Sequence, residues 1–242
     1  MTDSVRINKY LAEQGLCSRR EADTLIEKGQ VLINGKKAEL GAQVTPKDKV
    51  EVKGLKDIDK YYLAYYKGRG IITHSPAAGE TDIMSKLLSD YPNQPEVKTV
   101  SPVGRLDKDS EGLIILTNDG RVTGPLLDPA TSHEKEYVVT VDKPINNFFI
   151  RHMSQGVDIE GYKTKPANVK LTKSPAKKSF NIIITEGKKH QIRRMCAALG
   201  YQVQSLKRVR VLNIELGKLK PNQYRNIKGP ELKNLLKTLN IK

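Results

Sequence analysis

The chain has 242 residues, 42 Lys and Arg against 27 Asp and Glu, and a net charge of +15, enough length to bury a real core in one or two domains. The surplus is one-sided, with 20 Lys and Arg against 3 Asp and Glu from Lys163 onward and 22 against 24 before it, a field suited to a polyanion, the alternatives being a merely solvated surface or an anionic membrane. No run approaches the length of a membrane span, about 18 apolar residues, and no apolar signal core, amphipathic anchor or lipidation motif argues for export or membrane attachment.

Residues Arg6 to Gln14 read as a short helix with Ile7, Tyr10 and Leu11 on one face, stopped at Gly15. Ser18 opens a second helix, with Glu21 at capping-box spacing; Ala22, Leu25 and Ile26 form its inner face and Gly29 ends it. Val31 to Lys36 is a strand entering an Asn-Gly turn, and Val44 to Val52 adds strand around a Pro-Lys-Asp turn. Residues 53–60, KGLKDIDK, read as a polar linker. Beyond it, strands are expected at Tyr62–Tyr66, Leu113–Thr117, Tyr137–Val141 and Phe180–Thr185. Helices are expected at Asp82–Leu88, Asn146–Ser154, His190–Leu199 (stopped by Gly200) and Glu231–Leu239 after Pro230. Strands dominate without a βαβ rhythm, which predicts an α+β fold with a mixed, mainly antiparallel sheet flanked by helices. The expected division is 1–56 and 57–242.

Cys17 and Cys196 are far apart, and neither has a neighbour at metal-ligand spacing. Cys196 reads as a buried helical thiol. The four His are scattered, so no metal site is expected. A soluble protein of the reducing cytoplasm fits.

Three segments carry chemistry. The first is Gly104-Arg105-Leu106-Asp107-Lys108-Asp109-Ser110-Glu111-Gly112-Leu113, where one acid precedes a buried strand. An Asp there is either a turn residue bonding its own backbone or a reactive group on a loop held by a rigid scaffold. The others are HEKEYVV, from His133 to Val139, and Glu186-Gly187-Lys188-Lys189-His190-Gln191-Ile192-Arg193-Arg194-Met195. Together these segments resemble the RsuA family of bacterial ribosomal RNA pseudouridine synthases, and HEKEYVVTVDKPI is similar to its RluF branch, which acts on large-subunit RNA. The N-terminal segments CSRREAD and VLINGK resemble the αL RNA-binding module of a small-subunit ribosomal protein.

The resemblance implies an isomerase that breaks the uridine N1–C1′ bond, rotates the base and rejoins it through C5, with no cofactor or metal. It implies that Asp107 is the essential carboxylate, as nucleophile or base, that Arg193 pairs with it, and that Tyr137 stacks on the base. Alternation alone makes Tyr137 a core residue, and Arg193, like Arg194, has the alternative of an outward cation on a basic helix. Arg105 is implied to fill the gap left by the extruded uridine or to bind a flanking phosphate. Leu106, Lys108, Gly187, Lys188, Lys189 and His190 are implied to line the RNA, and LKRVRV, from Leu206 to Val211, resembles the family's last core strand, with Lys207, Arg208 and Arg210 facing RNA or solvent. In the N-terminal module Arg19, Arg20, Lys28, Lys36 and Lys37 are placed to clamp phosphates, the alternative for each being ordinary solvated charge.

Two departures from the family pattern bear on substrate choice. Lys67-Gly68-Arg69-Gly70 stands where Lys-Pro-x-Gly is usual, which loosens the loop, and Gly120-Arg121-Val122-Thr123-Gly124-Pro125 should shorten a helix. The expected partner is ribosomal RNA, and nothing requires more than a monomer. Competing readings are an enzyme of small-subunit RNA, a non-catalytic RNA-binding or assembly factor on the same scaffold, and an RNA methyltransferase. The last needs a Gly-rich strand-to-helix loop, which the sequence lacks. A two-carboxylate hydrolase is disfavoured because Asp109 and Ser110 sit where turn and cap bonding is expected.

Overall fold

A computed structural model describes residues 4–54 and 59–241, with Arg20 described for its backbone only. The expected domain boundary, between 56 and 57, lies outside the described residues.

In chain order the first elements are β1 (Val5–Arg6), α1 (Ile7–Glu13), α2 (Arg19–Glu27), β2 (Val31–Ile33), β3 (Lys36–Lys37), β4 (Gln43–Val44) and β5 (Val50–Val52). Their α1–α2 hairpin rests on two small antiparallel sheets. The capping box forms as its spacing predicts: Glu21 N–H donates to Ser18 Oγ at 3.2 Å, and Ser18 N–H donates to Glu21 Oε2 at 2.7 Å. Ile7, Leu11, Cys17, Ala22, Ile26, Val31 and Val44 form a separate small core.

The larger part comprises β6 (Tyr62–Lys67), α3 (Ile83–Asp90), α4 (Pro95–Thr99), β7 (Ser101–Val103), β8 (Glu111–Thr117), α5 (Thr123–Leu127), β9 (Lys135–Val141), α6 (Asn147–Gln155), β10 (Asn168–Leu171), β11 (Ser179–Ile184), α7 (Gln191–Ala198), β12 (Val203–Val211), β13 (Ile214–Glu215), β14 (Tyr224–Asn226) and α8 (Gly229–Thr238). Among the described residues the strands make one nine-stranded sheet in the order β10-β11-β9-β12-β8-β6-β14, with β7 beside β8 and β13 beside β12. Among the described strands only β8 and β12 pair in parallel. The expected α+β architecture with a mainly antiparallel sheet is what forms.

Alternation assigns each strand residue to a face. Leu63, Tyr65, Ile114, Leu116, Tyr137, Val139, Phe180 and Ile182 point to a front layer that holds α3, α6 and α7. Tyr62, Ala64, Leu113 and Ile115 point to a back layer with α8 and the Val122–Leu126 turn. Leu113 through Leu116 are buried on both faces, which is why that run reads as continuous apolar sequence and not as alternation. Each such side chain contributes about 1.5–3 kcal/mol of transfer free energy.

The parallel pairing depends on one glycine. Gly112 has φ +108°, and a Cβ there would lie 2.2 Å from the Arg208 carbonyl oxygen. Only a residue without a side chain lets β8 approach β12 at that point. Gly120 plays a similar part between the two units, since a Cβ there would lie 2.5 Å from the Ala12 carbonyl oxygen of α1. The 120–125 stretch does shorten its helix, to a 3-10 turn at Gly120–Val122 followed by the five residues of α5, and the same glycine gives α1 its seat.

Candidate active site

Asp107 lies in the connection from β7 to β8, which brings it to the front edge of the sheet. The turn closes when Ser110 N–H donates to the Asp107 carbonyl at 3.1 Å. Just upstream, Leu106 is buried, and its peptide groups are gripped by one side chain. Leu106 N–H donates to Thr73 Oγ1 at 3.0 Å, and Thr73 Oγ1 donates to the Leu106 carbonyl at 2.8 Å. Beneath the turn lies Lys67, fully buried at the end of β6. Its ammonium donates to the carbonyls of Ile71 at 2.6 Å, Gly68 at 3.0 Å and Lys108 at 3.4 Å. Gly70 N–H also donates to the Lys108 carbonyl, at 2.8 Å. Burial pushes the Lys67 ammonium down to about 8, opposed by the field of Asp107, Asp109 and Glu111. The turn is thus fixed on its inner side, while the Asp107 side chain stays 42% exposed.

The facing wall is the loop that leads into α7. Glu186 organises it: its carboxylate accepts from Tyr162 Oη at 2.6 Å, Gln191 Nε2 at 2.6 Å and the Lys165 N–H at 3.0 Å. Gln191 is buried and accepts the Lys188 N–H at 3.0 Å. His190 takes a left-handed conformation, φ +53°, and its Nε2 lies 3.5 Å from Asp107 Oδ1. Arg193, one turn into α7, reaches the same connection from behind. Its Nη2 donates to the Asp109 carbonyl at 3.1 Å and to Ser110 Oγ at 3.4 Å, and its Nη1 to the Val203 carbonyl at 3.5 Å.

This differs from the expected grip of Arg193 on both oxygens of Asp107. Among the described residues the carboxylate has its side-chain contact with His190, at 3.5 Å, and the guanidinium braces the Asp109 carbonyl and Ser110 Oγ. The reason is positional: the left-handed residue swings the His190 ring toward the acid, and a residue three positions on meets the far side of the turn.

Tyr137 occupies the middle of β9, across from Ile182 on one side and Arg208 on the other. It is 8% exposed and shares its core cluster with Leu106 and Ile192. Its hydroxyl has no hydrogen-bond partner among the described residues. Arg208 does not face RNA or solvent as the LKRVRV reading had it. It is buried, and its Nε donates to the Leu113 carbonyl at 2.7 Å. Arg210 is likewise occupied, by Glu136 and Glu134, both at 3.0 Å.

The remaining predicted residues divide. Arg105, Gly187 and Lys189 are exposed around the turn. Lys108 pairs with Glu80 at 2.7 Å, and Lys188 lies over the Tyr162 ring at 4.6 Å, so both are tethered at the rim. Arg19, Lys28, Lys36 and Lys37 are exposed on the N-terminal unit, with Arg19 Nη2 donating to Asn8 Oδ1 at 3.5 Å; they belong to a separate surface. Sequence reasoning missed Thr73, Lys67 as a buried ammonium, and the Glu186–Gln191 pair. Only Lys67 had a local signal, as the one cation in an otherwise apolar strand. Among the described residues no group of three or more His, Cys, Asp or Glu side chains converges as a metal site would. Cys196 is buried and its thiol is pushed up to about 12 by desolvation, an inert group.

Asp107 thus stands on a rigid turn opposite the cationic start of α7, in a chain that carries a separate small helical module at its N-terminal end. A family model for RNA pseudouridylate synthase matches residues 61–198, and one for the S4 domain matches residues 5–50. The chain belongs to the RNA pseudouridylate synthase family, in the RsuA-type arrangement with an S4 domain ahead of the catalytic part. It is 44% identical, over 98% of its length and 80% of the relative's, to the dual-specificity RNA pseudouridine synthase RluF of Escherichia coli K12. To ribosomal large subunit pseudouridine synthase B of Bacillus subtilis it is 38% identical over 95% of both chains. A crystal structure of a pseudouridylate synthase, 28% identical, superposes with a TM-score of 0.68 over 96% of this chain and 99% of the other.

Proposed function

We propose that this enzyme converts a uridine of ribosomal RNA, in the large subunit, to pseudouridine, acting in the cytoplasm as a monomer with an RNA-binding domain at 1–56 and a catalytic domain at 57–242. The observation that carries the reading is the Asp107 carboxylate, half-exposed on a turn whose inner side is tied down by Thr73, Lys67 and Arg193. A preorganised acid needs no rearrangement when the nucleotide arrives.

In this reading the target uridine leaves its stack and enters between the Asp107 turn and the 186–190 loop. Asp107 attacks or deprotonates the sugar as the C1′–N1 bond breaks. The free uracil turns and C5 bonds to C1′, as the Asp107–C1′ ester bond breaks if the acid attacked, or as the abstracted sugar proton returns if it acted as base. The proton lost from C5 and the one gained at N1 balance, so no atom is added. The buried Tyr137 ring supports the flipped base, and its hydroxyl, without a protein partner, is available to it; a buried phenol otherwise finds a partner. His190 Nε2 stands 3.5 Å from the acid, and the exposed Arg105 is positioned to enter the vacated stack. The large-subunit assignment rests on likeness to the Bacillus subtilis large-subunit enzyme.

The test is tritium release from C5-labelled large-subunit ribosomal RNA. The parent protein should liberate label and Asp107→Asn should not, while binding the same RNA with affinity within about threefold. Release by the variant would overturn the role of Asp107, and release from small-subunit RNA alone would overturn the target.

A further inference from the structure

The front layer ends in a lobe the reaction does not use. It consists of α6, the edge hairpin of β10 and β11, and the loop from Asp142 to Asn146. From 143 to 157 and again from 161 to 185 the chain contains no Asp or Glu. Backbone hydrogen bonds tie the loop to the hairpin: Ile145 N–H donates to the Lys177 carbonyl at 2.8 Å, and Val141 N–H to the Lys178 carbonyl at 2.9 Å. Lys143, Arg151, Lys170, Lys173 and Lys177 are exposed there, and none makes an ion pair among the described residues.

Within this acid-free patch two large apolar side chains face solvent, Leu171 on β10, 40% exposed, and the aromatic Phe148. Phe149 turns inward against Phe180 and Tyr201, but its neighbour Phe148 is 59% exposed. The His152 ring lies 3.8 Å from the Phe148 ring, centroid to centroid, with 33° between planes, and His152 Nδ1 is 2.8 Å from the Phe148 carbonyl oxygen. Folding does not require a phenylalanine there, since it gains little burial. An exposed, backed aromatic among unpaired cations has the chemistry of a base-stacking shelf.

The lobe is also continuous with the active site. The segment Tyr201–Gln204 has Lys143 over the Tyr201 ring at 4.7 Å, Arg193 at the Val203 carbonyl and Arg69 at the Gln204 carbonyl, 3.4 Å away. These cations are strung along at most about 11 Å of chain. Asp142 interrupts them, and its carboxylate is held by the Gln202 N–H at 2.9 Å.

We propose that Phe148, backed by His152, is a second RNA-gripping surface on which an unpaired base flanking the target nucleotide stacks, with Lys143 and Lys177 on its phosphates. This rests on the ribosomal RNA reading above and adds to it the single-stranded character of the flanking sequence. The experiment uses the full chain carrying Asp107→Asn, so that bound RNA is not turned over, and a transcribed ribosomal RNA fragment. Adding Phe148→Ala should weaken binding about five- to hundredfold, adding Phe148→Trp should restore it, and the unfolding midpoint should not move. Binding within twofold after Phe148→Ala overturns the proposal, as does a loss that Phe148→Trp fails to restore; in either case the shelf passes to a protein partner. Tritium release by the parent protein on the same RNA is run alongside, so failure of the shelf and failure of the catalytic reading give different results.

Discussion

Lys67 is the residue on which the site's stability and its rigidity meet. Its ammonium is buried and depressed to about 8, against an ordinary value near 10.4. Between those values the unfolded chain binds more protons than the folded one, so stability rises with pH across that window. Below about pH 8 the folded protein holds the charged form and bears the full desolvation cost. Lys67→Met should remove this rise from urea unfolding measured between pH 7 and 10. It should also lower kcat more than it raises KM, because the Lys108 carbonyl loses its ammonium donor. A second residue is decisive by its lack of a side chain. Gly112→Ala combines a positive φ with a clash against backbone, and we expect it to destabilise the protein by about 3 kcal/mol or more, read as a lower denaturation midpoint at unchanged slope. Gly68 is the residue where family pattern and structure are reconciled. Its N–H donates to Asn222 Oδ1 at 3.1 Å, a bond that the usual proline has no hydrogen to make, so the glycine is tied down from outside the loop.

At the scale of elements, the loop before α7 is the part that positions His190 beside Asp107. Its geometry depends on Glu186, which accepts from Tyr162, Gln191 and the backbone of Lys165. Glu186→Ala leaves the buried Gln191 amide without that acceptor, a loss of about 1–3 kcal/mol. The expected outcome is a drop in kcat/KM on ribosomal RNA, with faster hydrogen exchange at residues 186–191 and unchanged exchange in β9 and β12. In the N-terminal unit, Ser18→Ala removes half of the capping box and should cost about 1 kcal/mol of local helix stability, visible as exchange in α2 alone.

For the molecule as a whole, the charge asymmetry becomes a surface. The C-terminal third builds β11, α7 and β12, with α8 on the back layer, and brings His190 and Arg193 against the Asp107 turn. The N-terminal unit, near neutral in sum, meets the larger part where Gly120 faces Ala12 and where Lys60 donates to the Gly15 carbonyl. Nearby, the fully buried Asp119 carboxylate accepts from Arg121 and from Tyr62 Oη at 2.6 Å. Because affinity draws on phosphate neutralisation, log Kd for ribosomal RNA should rise linearly with log salt, with a slope of about 0.9 per duplex phosphate contacted. Replacing Lys143 and Lys177 together by Gln should lower that slope by about 1 to 2, measured by titration at several salt concentrations.

Much of this was legible in the residues. The capping box at Ser18, the strands that begin near Tyr62, Leu113, Tyr137 and Phe180, and the helix closed by Gly200 follow from local rules of periodicity and capping, which act over a few residues. The Asp107 turn was legible for the same reason, as Gly, Asp and Ser before an apolar run. Tertiary structure decided what is set by distant partners: that the parallel β8–β12 pair forms at Gly112, that Arg208 turns inward to the Leu113 carbonyl, and that Arg193 braces the turn while His190 faces the acid. It also placed Lys67 under Lys108 and Thr73 against Leu106, contacts between segments more than thirty residues apart. Hydrogen bonds and desolvation are properties of neighbours in space, and a linear pattern records which residue types are present, not which of them a fold brings within 3 Å.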